Sequence, residues 1–169
     1  MDSAYRLAGC LVDGLITAFC LAAVIIVAGL AICVGLEVGM RYLLGTPTRW
    51  VVEFSEYALL WIAFLSGAWI LREEGHVRVE MLTELLSPRW QRWMHSVTSL
   101  LGAAVCAVFC WVSASYVAEI QASGEILFKS VPIEKWAVMA VMPPGLALLA
   151  IQFVRRAFRP PPAAGLANA

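Results

Sequence analysis

Four long apolar runs divide this chain, and most of its charged residues are gathered between them. The runs span residues 14–36, 54–71, 93–117 and 136–154. A helix needs about 20 apolar residues to cross the hydrocarbon core of a bilayer, so each run is close to or above the required length. The first and fourth runs carry no charge, the second contains only Glu56, and the third contains only His95. The pattern therefore predicts four transmembrane helices.

The sequence predicts no aqueous domain between these runs. Residues 1–159 are expected to form one all-α, polytopic membrane domain, followed by a disordered, Pro/Ala-rich tail over 160–169. The first run is too long for the core of a cleavable signal peptide, which favours a retained anchor. Most tryptophans and tyrosines lie near run ends, as expected at membrane interfaces. Trp61 and Trp111 lie deeper and are expected to pack against neighbouring helices.

The segment between the second and third runs, residues 72–92, has an amphipathic pattern. Its apolar residues recur at helical spacing, with charged residues at other positions. These apolar residues are Val77, Met81, Leu82, Leu85 and Leu86. The pattern predicts a short interfacial helix over residues 77–86 that lies on the membrane surface.

Lys and Arg residues are distributed unequally between the two sides of the predicted bundle. With four spans, the N-terminus, the segment 72–92 and the C-terminus share one side and hold eight of these residues, against four in segments 37–53 and 119–135. Basic residues concentrate on the cytoplasmic side of membrane proteins. Both termini are therefore predicted to face the cytoplasm.

Composition excludes several function classes. Hydrophobic residues make up 62% of the chain and charged residues 14%, whereas a soluble domain has about 25% charged residues. The formal net charge is zero, so no basic excess is available to bind nucleic acid. The five cysteines include no Cys-x-x-Cys pair, which argues against a disulfide framework. Cys106 and Cys110 are one helical turn apart, but without a third ligand nearby we interpret them as small hydrophobic residues and expect no metal site.

The apolar runs also lack recognisable catalytic or redox groups. No Gly-rich phosphate loop, nucleophile elbow or zinc-ligand cluster occurs, so neither enzyme activity nor a cofactor is expected. A redox subunit would need paired His or Cys, and the two histidines, His76 and His95, lie near span ends on one predicted side. The alternative hypothesis of a self-contained four-helix exporter, acting as a homodimer, requires a carboxylate near the midplane. Glu56 lies too close to an interface to fit that role.

Several short motifs follow one another along the second and fourth runs. They are Glu53 and Glu56 at the start of the second run, Trp61, Leu65-Ser66-Gly67-Ala68, Arg72 with Gly75-His76-Val77-Arg78-Val79-Glu80, and Met142-Pro143-Pro144-Gly145. In order and spacing, over about residues 14–158, the chain resembles the small permease subunit of tripartite ATP-independent periplasmic (TRAP) transporters, the DctQ-like family. It departs from the family pattern in the charged Glu73-Glu74 pair and in the second proline.

The resemblance implies a subunit of the bacterial inner membrane that supports a large permease in sodium-coupled uptake of an organic acid. A periplasmic binding protein would deliver the substrate, and sodium would bind the large permease. The resemblance assigns no substrate-binding residue to the small subunit. The candidate assembly residues are Glu53, Glu56, Arg72, Gly75, His76, Glu80, Pro143 and Pro144.

Prolines and small residues bear on how the spans pack. Pro143 and Pro144 lack N–H groups, so the carbonyls of Met139 and Ala140 lose their helical donors. We interpret this as a kink packed against a partner, with a tolerated kink or an ion site as alternatives. Small residues on the first and third runs, together with Gly39 just past the end of the first, suit close helix approach, either to a partner or within the chain. They are Gly29, Gly35, Gly39, Ser99, Gly102, Ala103 and Ala107.

Overall fold

Four helical spans make up most of the computed structural model, which describes residues 2–45, 49–73, 88–127 and 132–158. Within these ranges, four helices are long and apolar enough to cross a membrane, which confirms the predicted all-α, four-span fold. The first three spans are α1 (Asp2–Leu44), α2 (Arg49–Glu73) and α3 (Pro88–Ser123). The fourth span is divided into α4 (Lys135–Met139) and α5 (Met142–Phe158).

The helices continue well past the apolar runs that predict them. α1 has 43 residues and is therefore about 64 Å long, roughly twice the thickness of the hydrocarbon core. The segment 37–53 separates the first two predicted spans, and it is helical up to Leu44 and again from Arg49, so both helices are longer than the apolar runs. Within this extension Arg41 pairs with Glu37 one turn earlier, an i,i+4 arrangement that supports helix outside the apolar region.

Two glycines end the longest helices. Gly45 has a φ of 66° and Gly124 a φ of 64°, in the left-handed region that side chains disfavour. The backbone N–H of Gly45 donates to the carbonyl of Arg41 at 3.2 Å, and that of Gly124 donates to the carbonyl of Ile120 at 3.1 Å. Each glycine therefore satisfies a free carbonyl in the last helical turn and turns the chain away from the helix axis.

A two-stranded antiparallel hairpin, which the sequence analysis did not predict, lies between α3 and α4. Its strands are β1 (Ile126–Leu127) and β2 (Ile133–Glu134). The ammonium group of Lys135 contacts the carboxylate of Glu125 at 2.7 Å and lies 5.6 Å from the ring centre of Tyr116. These contacts join the end of α3 to the start of α4, at what we call the hairpin end of the bundle.

The core lies where α1, α2 and α5 meet. One layer contains Ile16 of α1, Ala68 of α2 and Leu148 of α5. A second contains Ala23 of α1, Leu65 of α2 and Val141, which lies in the break directly before α5. α3 packs against the other side of α5. There a Cβ atom placed on Gly102 would lie 2.9 Å from the ring of Phe153. α5 is therefore the central helix of the bundle, which explains its small and kink-forming residues.

The structure differs from the sequence-based expectation at Trp111, and it does not describe two of the predicted segments. Trp111 is 76% exposed, so the prediction that it packs against a neighbouring helix of this chain was wrong. The predicted interfacial helix over residues 77–86 and the predicted tail over 160–169 lie outside the described residues.

Candidate functional site

The break in the fourth span is held by a side chain from α2. Pro143 and Pro144 cannot donate hydrogen bonds to carbonyls in the preceding turn, so α4 and α5 are separate helices. The indole Nε1 of Trp61 donates a hydrogen bond to the carbonyl oxygen of Val138 at 3.0 Å. Trp61 thus satisfies a backbone acceptor beside the break, which confirms the expectation that this deep tryptophan packs against another helix.

α3 and α2 also contact the backbone on the far side of the break. The thiol of Cys110 lies 3.3 Å from the carbonyl oxygen of Pro143 and donates to it. A Cβ atom placed on Gly145 would lie 2.7 Å from the carbonyl oxygen of Phe64, so only glycine permits this approach of α5 to α2. The kink is therefore packed inside the chain, with Pro143 half-buried and Pro144 exposed. Its predicted contact with a partner stays a prediction.

Polar side chains connect the helices at the opposite end of the bundle, which we call the Asp13 end because it contains Asp13, Arg72, His95 and Arg155. Arg155 donates two hydrogen bonds to the carboxylate of Asp13, at 2.6 Å and 3.1 Å. This bidentate geometry is the strongest form of a guanidinium–carboxylate pair. It joins the beginning of the first span to the end of the fourth.

Two weaker contacts extend this connection to the other helices. Arg72 Nη1 donates to the hydroxyl of Thr17 at 3.4 Å, which links α2 to α1. Arg156 Nε donates to His95 Nε2 at 3.5 Å, which links α5 to α3. Because Nε2 of His95 accepts this bond, the contact requires an imidazole without a proton on that nitrogen. The Asp13 end is therefore a polar layer that joins all four spans.

Most residues of this polar layer belong to none of the motifs that stand out in the sequence. Asp13 and Arg155 adjoin the first and fourth spans on the same predicted side, and that opposite-charge placement was the available signal. Gln152 carried no comparable signal, although it is only 3% exposed. Its Oε1 atom has no hydrogen-bond partner among the described residues. A buried acceptor of this kind is a place where a water molecule commonly binds.

The predicted assembly residues do not form one site. Glu53 is half-buried and Glu56 is exposed, both near the start of α2. Arg72 follows Glu53 by 19 positions, about 28 Å along the helix, and belongs to the Asp13 end. The remaining predicted residues of the second-run motif lie outside the described ranges; they are Gly75, His76 and Glu80.

The small residues divide into an internal and an external set. Gly102 packs under Phe153, and Ser99 and Ala103 are buried, so these residues of α3 serve packing within the chain. By contrast, a Cβ atom placed on any of three glycines of α1 would have no neighbour within 4 Å among the described residues. Those glycines are Gly29, Gly35 and Gly39. The structure thus leaves the glycines of α1, and not those of α3, open to another molecule.

Cys106 and Cys110 form the cysteine pair on the third run. Cys106 is buried, and the thiol of Cys110 donates to the kink described above. In the described ranges, no group of three or more His, Cys, Asp or Glu side chains is arranged to hold a metal ion.

Comparison with known proteins places this arrangement in a family. The family model described as "Tripartite ATP-independent periplasmic transporters, DctQ component" matches residues 30–160. A C4-dicarboxylate TRAP transporter small permease protein from Pseudomonas aeruginosa is 27% identical over 115 residues, which cover 65% of this chain and 53% of that protein. A protein named as a TRAP transporter small permease protein from Haemophilus influenzae is 31% identical over 81 residues, 48% of this chain and 50% of that protein.

The aligned segments thus span about half the length of both relatives. The family model, however, covers most of this chain, including the second, third and fourth spans and the last part of the first. The chain therefore belongs to the DctQ component family of the tripartite ATP-independent periplasmic transporters.

Proposed function

We propose that this protein is the small membrane subunit that supports a large permease in the sodium-coupled uptake of an organic acid. A periplasmic binding protein would deliver the substrate, and the large permease would hold the substrate and sodium sites. The observation that carries the proposal is the family match over residues 30–160. The name of the Pseudomonas aeruginosa relative refers to C4-dicarboxylates, which favours an organic acid as the substrate class.

The contacts of this chain support a framework role. The Asp13–Arg155 pair and the Trp61–Val138 hydrogen bond join helices of the chain to each other. Substrate sites of secondary transporters lie near the membrane midplane and are formed by broken helices with available polar groups. Here the break in the fourth span is packed between α2 and α3, so it is suited to hold the bundle rigid.

A transport role without a partner would need a different arrangement. A coupled exporter requires an ionisable group within the membrane. The only acidic residue inside the four predicted apolar runs is Glu56, which lies two positions from the start of its run. We further propose an inner-membrane location with both termini cytoplasmic, on the basis of the Lys and Arg distribution.

Reconstitution tests the proposal. The protein alone in liposomes, under an inward sodium gradient, should take up no C4-dicarboxylate, and under a proton gradient it should export no cationic drug. Liposomes that also contain the large permease encoded with it should show uptake once the binding protein is added, and uptake should stop without sodium. Transport by the single chain would contradict the proposal and would support the four-helix exporter instead.

A further inference from the structure

A narrow groove lies between the middle of α1 and the first turns of α2, away from the Asp13 end. Its volume is about 180 Å³, and its walls are apolar, with Gly29 and Cys33 on α1 opposite Trp50 and Phe54 on α2. The rings of Trp50 and Phe54 pack edge to face, with their centres 6.0 Å apart. A water molecule needs polar partners, which these walls do not supply, so the groove is suited to hydrocarbon.

The cationic side chain of Arg41 lies beyond the outer end of this groove. Cys33, Glu37 and Arg41 are spaced by four residues and therefore share one side of α1. Arg41 donates from Nε at 3.0 Å and from Nη2 to the same carboxylate oxygen of Glu37. This pairing directs the guanidinium back toward the groove, to the level of Glu37, about 6 Å beyond Cys33.

The guanidinium of Arg41 has donors left for another anion. The side chain of Glu37 is only 6% exposed, whereas that of Arg41 is 52% exposed. A guanidinium has five N–H donors, and the two bonds to Glu37 leave three of them without a partner among the described residues. Guanidinium groups bind phosphate through such donors.

The positions of groove and cation match the two parts of a lipid molecule. The first apolar run ends at Leu36, so the groove lies at the depth of acyl chains and Arg41 at the depth of headgroups. Trp50, an interfacial residue type, lines the groove near this boundary.

We propose that this groove binds a phospholipid, with an acyl chain between Gly29 and Phe54 and the headgroup phosphate on Arg41. Hydrocarbon in the groove and phosphate on the guanidinium together make the occupant amphipathic and anionic. The site goes beyond the proposed transport function and does not depend on it, because it is formed by two helices of this chain alone.

Native mass spectrometry of the purified full-length chain with added phosphatidylglycerol tests the proposal. The wild-type chain should retain one phosphatidylglycerol after detergent is removed. In Gly29→Leu the leucine occupies the groove, since a Cβ atom there meets nothing within 4 Å. Affinity should fall roughly tenfold, the factor for displacing about two methylene groups. Gly35→Leu is the matched control, because Gly35 is equally open but does not line the groove, and it should bind like wild type.

The headgroup contact is tested with Glu37→Gln/Arg41→Gln, a double variant that leaves no unpaired charge in place of the pair. Its affinity for phosphatidylglycerol should fall about fivefold, as expected for one basic residue at a membrane surface. Its affinity for diacylglycerol, which has the same chains and no phosphate, should equal that of wild type. Unchanged retention of phosphatidylglycerol in folded Gly29→Leu would overturn the proposal. If that variant instead failed only to bind the large permease, the groove would hold a partner's side chain and not a lipid.

Discussion

Arg155 and Asp13 are 142 positions apart in the chain and form a bidentate ion pair. Nη1 of Arg155 lies 2.6 Å from Oδ1 of Asp13, and Nη2 lies 3.1 Å from Oδ2. The Arg155 side chain is 24% exposed and that of Asp13 is 43% exposed. The pair is therefore neither fully solvated nor fully buried. It fixes α5, the central helix, to the first span, and each of the other spans contacts α5 or α1 at the same end.

We expect a coupling free energy of about 1–2 kcal/mol between these two side chains. Exposed ion pairs contribute up to about 1 kcal/mol, and breaking a buried one costs about 3–5 kcal/mol, so a partly exposed bidentate pair lies between them. The measurement is a double-mutant cycle with Asp13→Ala, Arg155→Ala and the double variant, scored by thermal unfolding in detergent. Additive effects of the two single changes would show that the pair contributes nothing to stability.

Trp61→Phe should destabilise the protein by about 1–3 kcal/mol. The change keeps an aromatic ring but removes the N–H that donates to the carbonyl of Val138, leaving a backbone acceptor beside the break without this partner. Trp111→Phe is the matched control, because Trp111 is 76% exposed and should lose almost no stability. Thermal unfolding of both variants checks the prediction, and equal melting temperatures for the two would contradict it.

Gly145→Ala should cost about 1–3 kcal/mol, since the added methyl group would lie 2.7 Å from the carbonyl oxygen of Phe64 and push α5 away from α2. Gly35→Ala should instead be neutral or stabilising by up to about 1 kcal/mol, because that position is open and alanine favours helix. Chemical unfolding in mixed detergent compares the two variants. A stable Gly145→Ala protein would mean that the two helices can separate without cost.

The number of spans could be predicted because lipid imposes it. A chain in hydrocarbon must satisfy its backbone groups internally, so each long apolar run is a helix. The ends of the helices could be predicted less well than their number. Residues after Leu36 are polar enough for a loop, yet they continue as helix, which the Glu37–Arg41 pair supports. The glycine that ends this helix, Gly45, marks the boundary better than the end of the apolar run.

The contacts between spans could not be predicted from the same patterns. Trp61 and Val138 are 77 positions apart, and their hydrogen bond depends on the vertical register of two helices. The position of a residue within an apolar run gives its depth in the membrane but not the neighbour that it faces. The same limit explains the wrong prediction for Trp111, whose depth is similar to that of residues packed inside.

Orientation in the membrane is tested by thiol labelling. Eight of twelve Lys and Arg residues lie on the predicted cytoplasmic side, so a cysteine at position 75 should be protected from an impermeant maleimide in intact spheroplasts. A cysteine at Gly124, at the hairpin end, should be labelled. The background must lack the five native cysteines. Labelling at position 75 with protection at position 124 would reverse the topology, whereas membrane permeabilisation should expose both sites.

The open glycines of α1 lead to a last prediction about assembly. Gly35 and Gly39 are one helical turn apart, and a Cβ atom on either would have no neighbour within 4 Å in the described part of the chain, so neither is needed for packing there. Such spacing lets a second helix approach closely and gain dispersion contacts that lipid does not supply. Gly35→Leu/Gly39→Leu should therefore leave the melting temperature of the isolated chain unchanged but reduce co-purification with the large permease at least roughly tenfold, as expected for about 1.4 kcal/mol of lost contact.

Leu101→Ala/Val108→Ala, on the exposed face of α3, is the control and should co-purify like wild type. If the leucine variant assembled normally while the α3 variant did not, the permease would bind α3, and the glycines of α1 would face lipid.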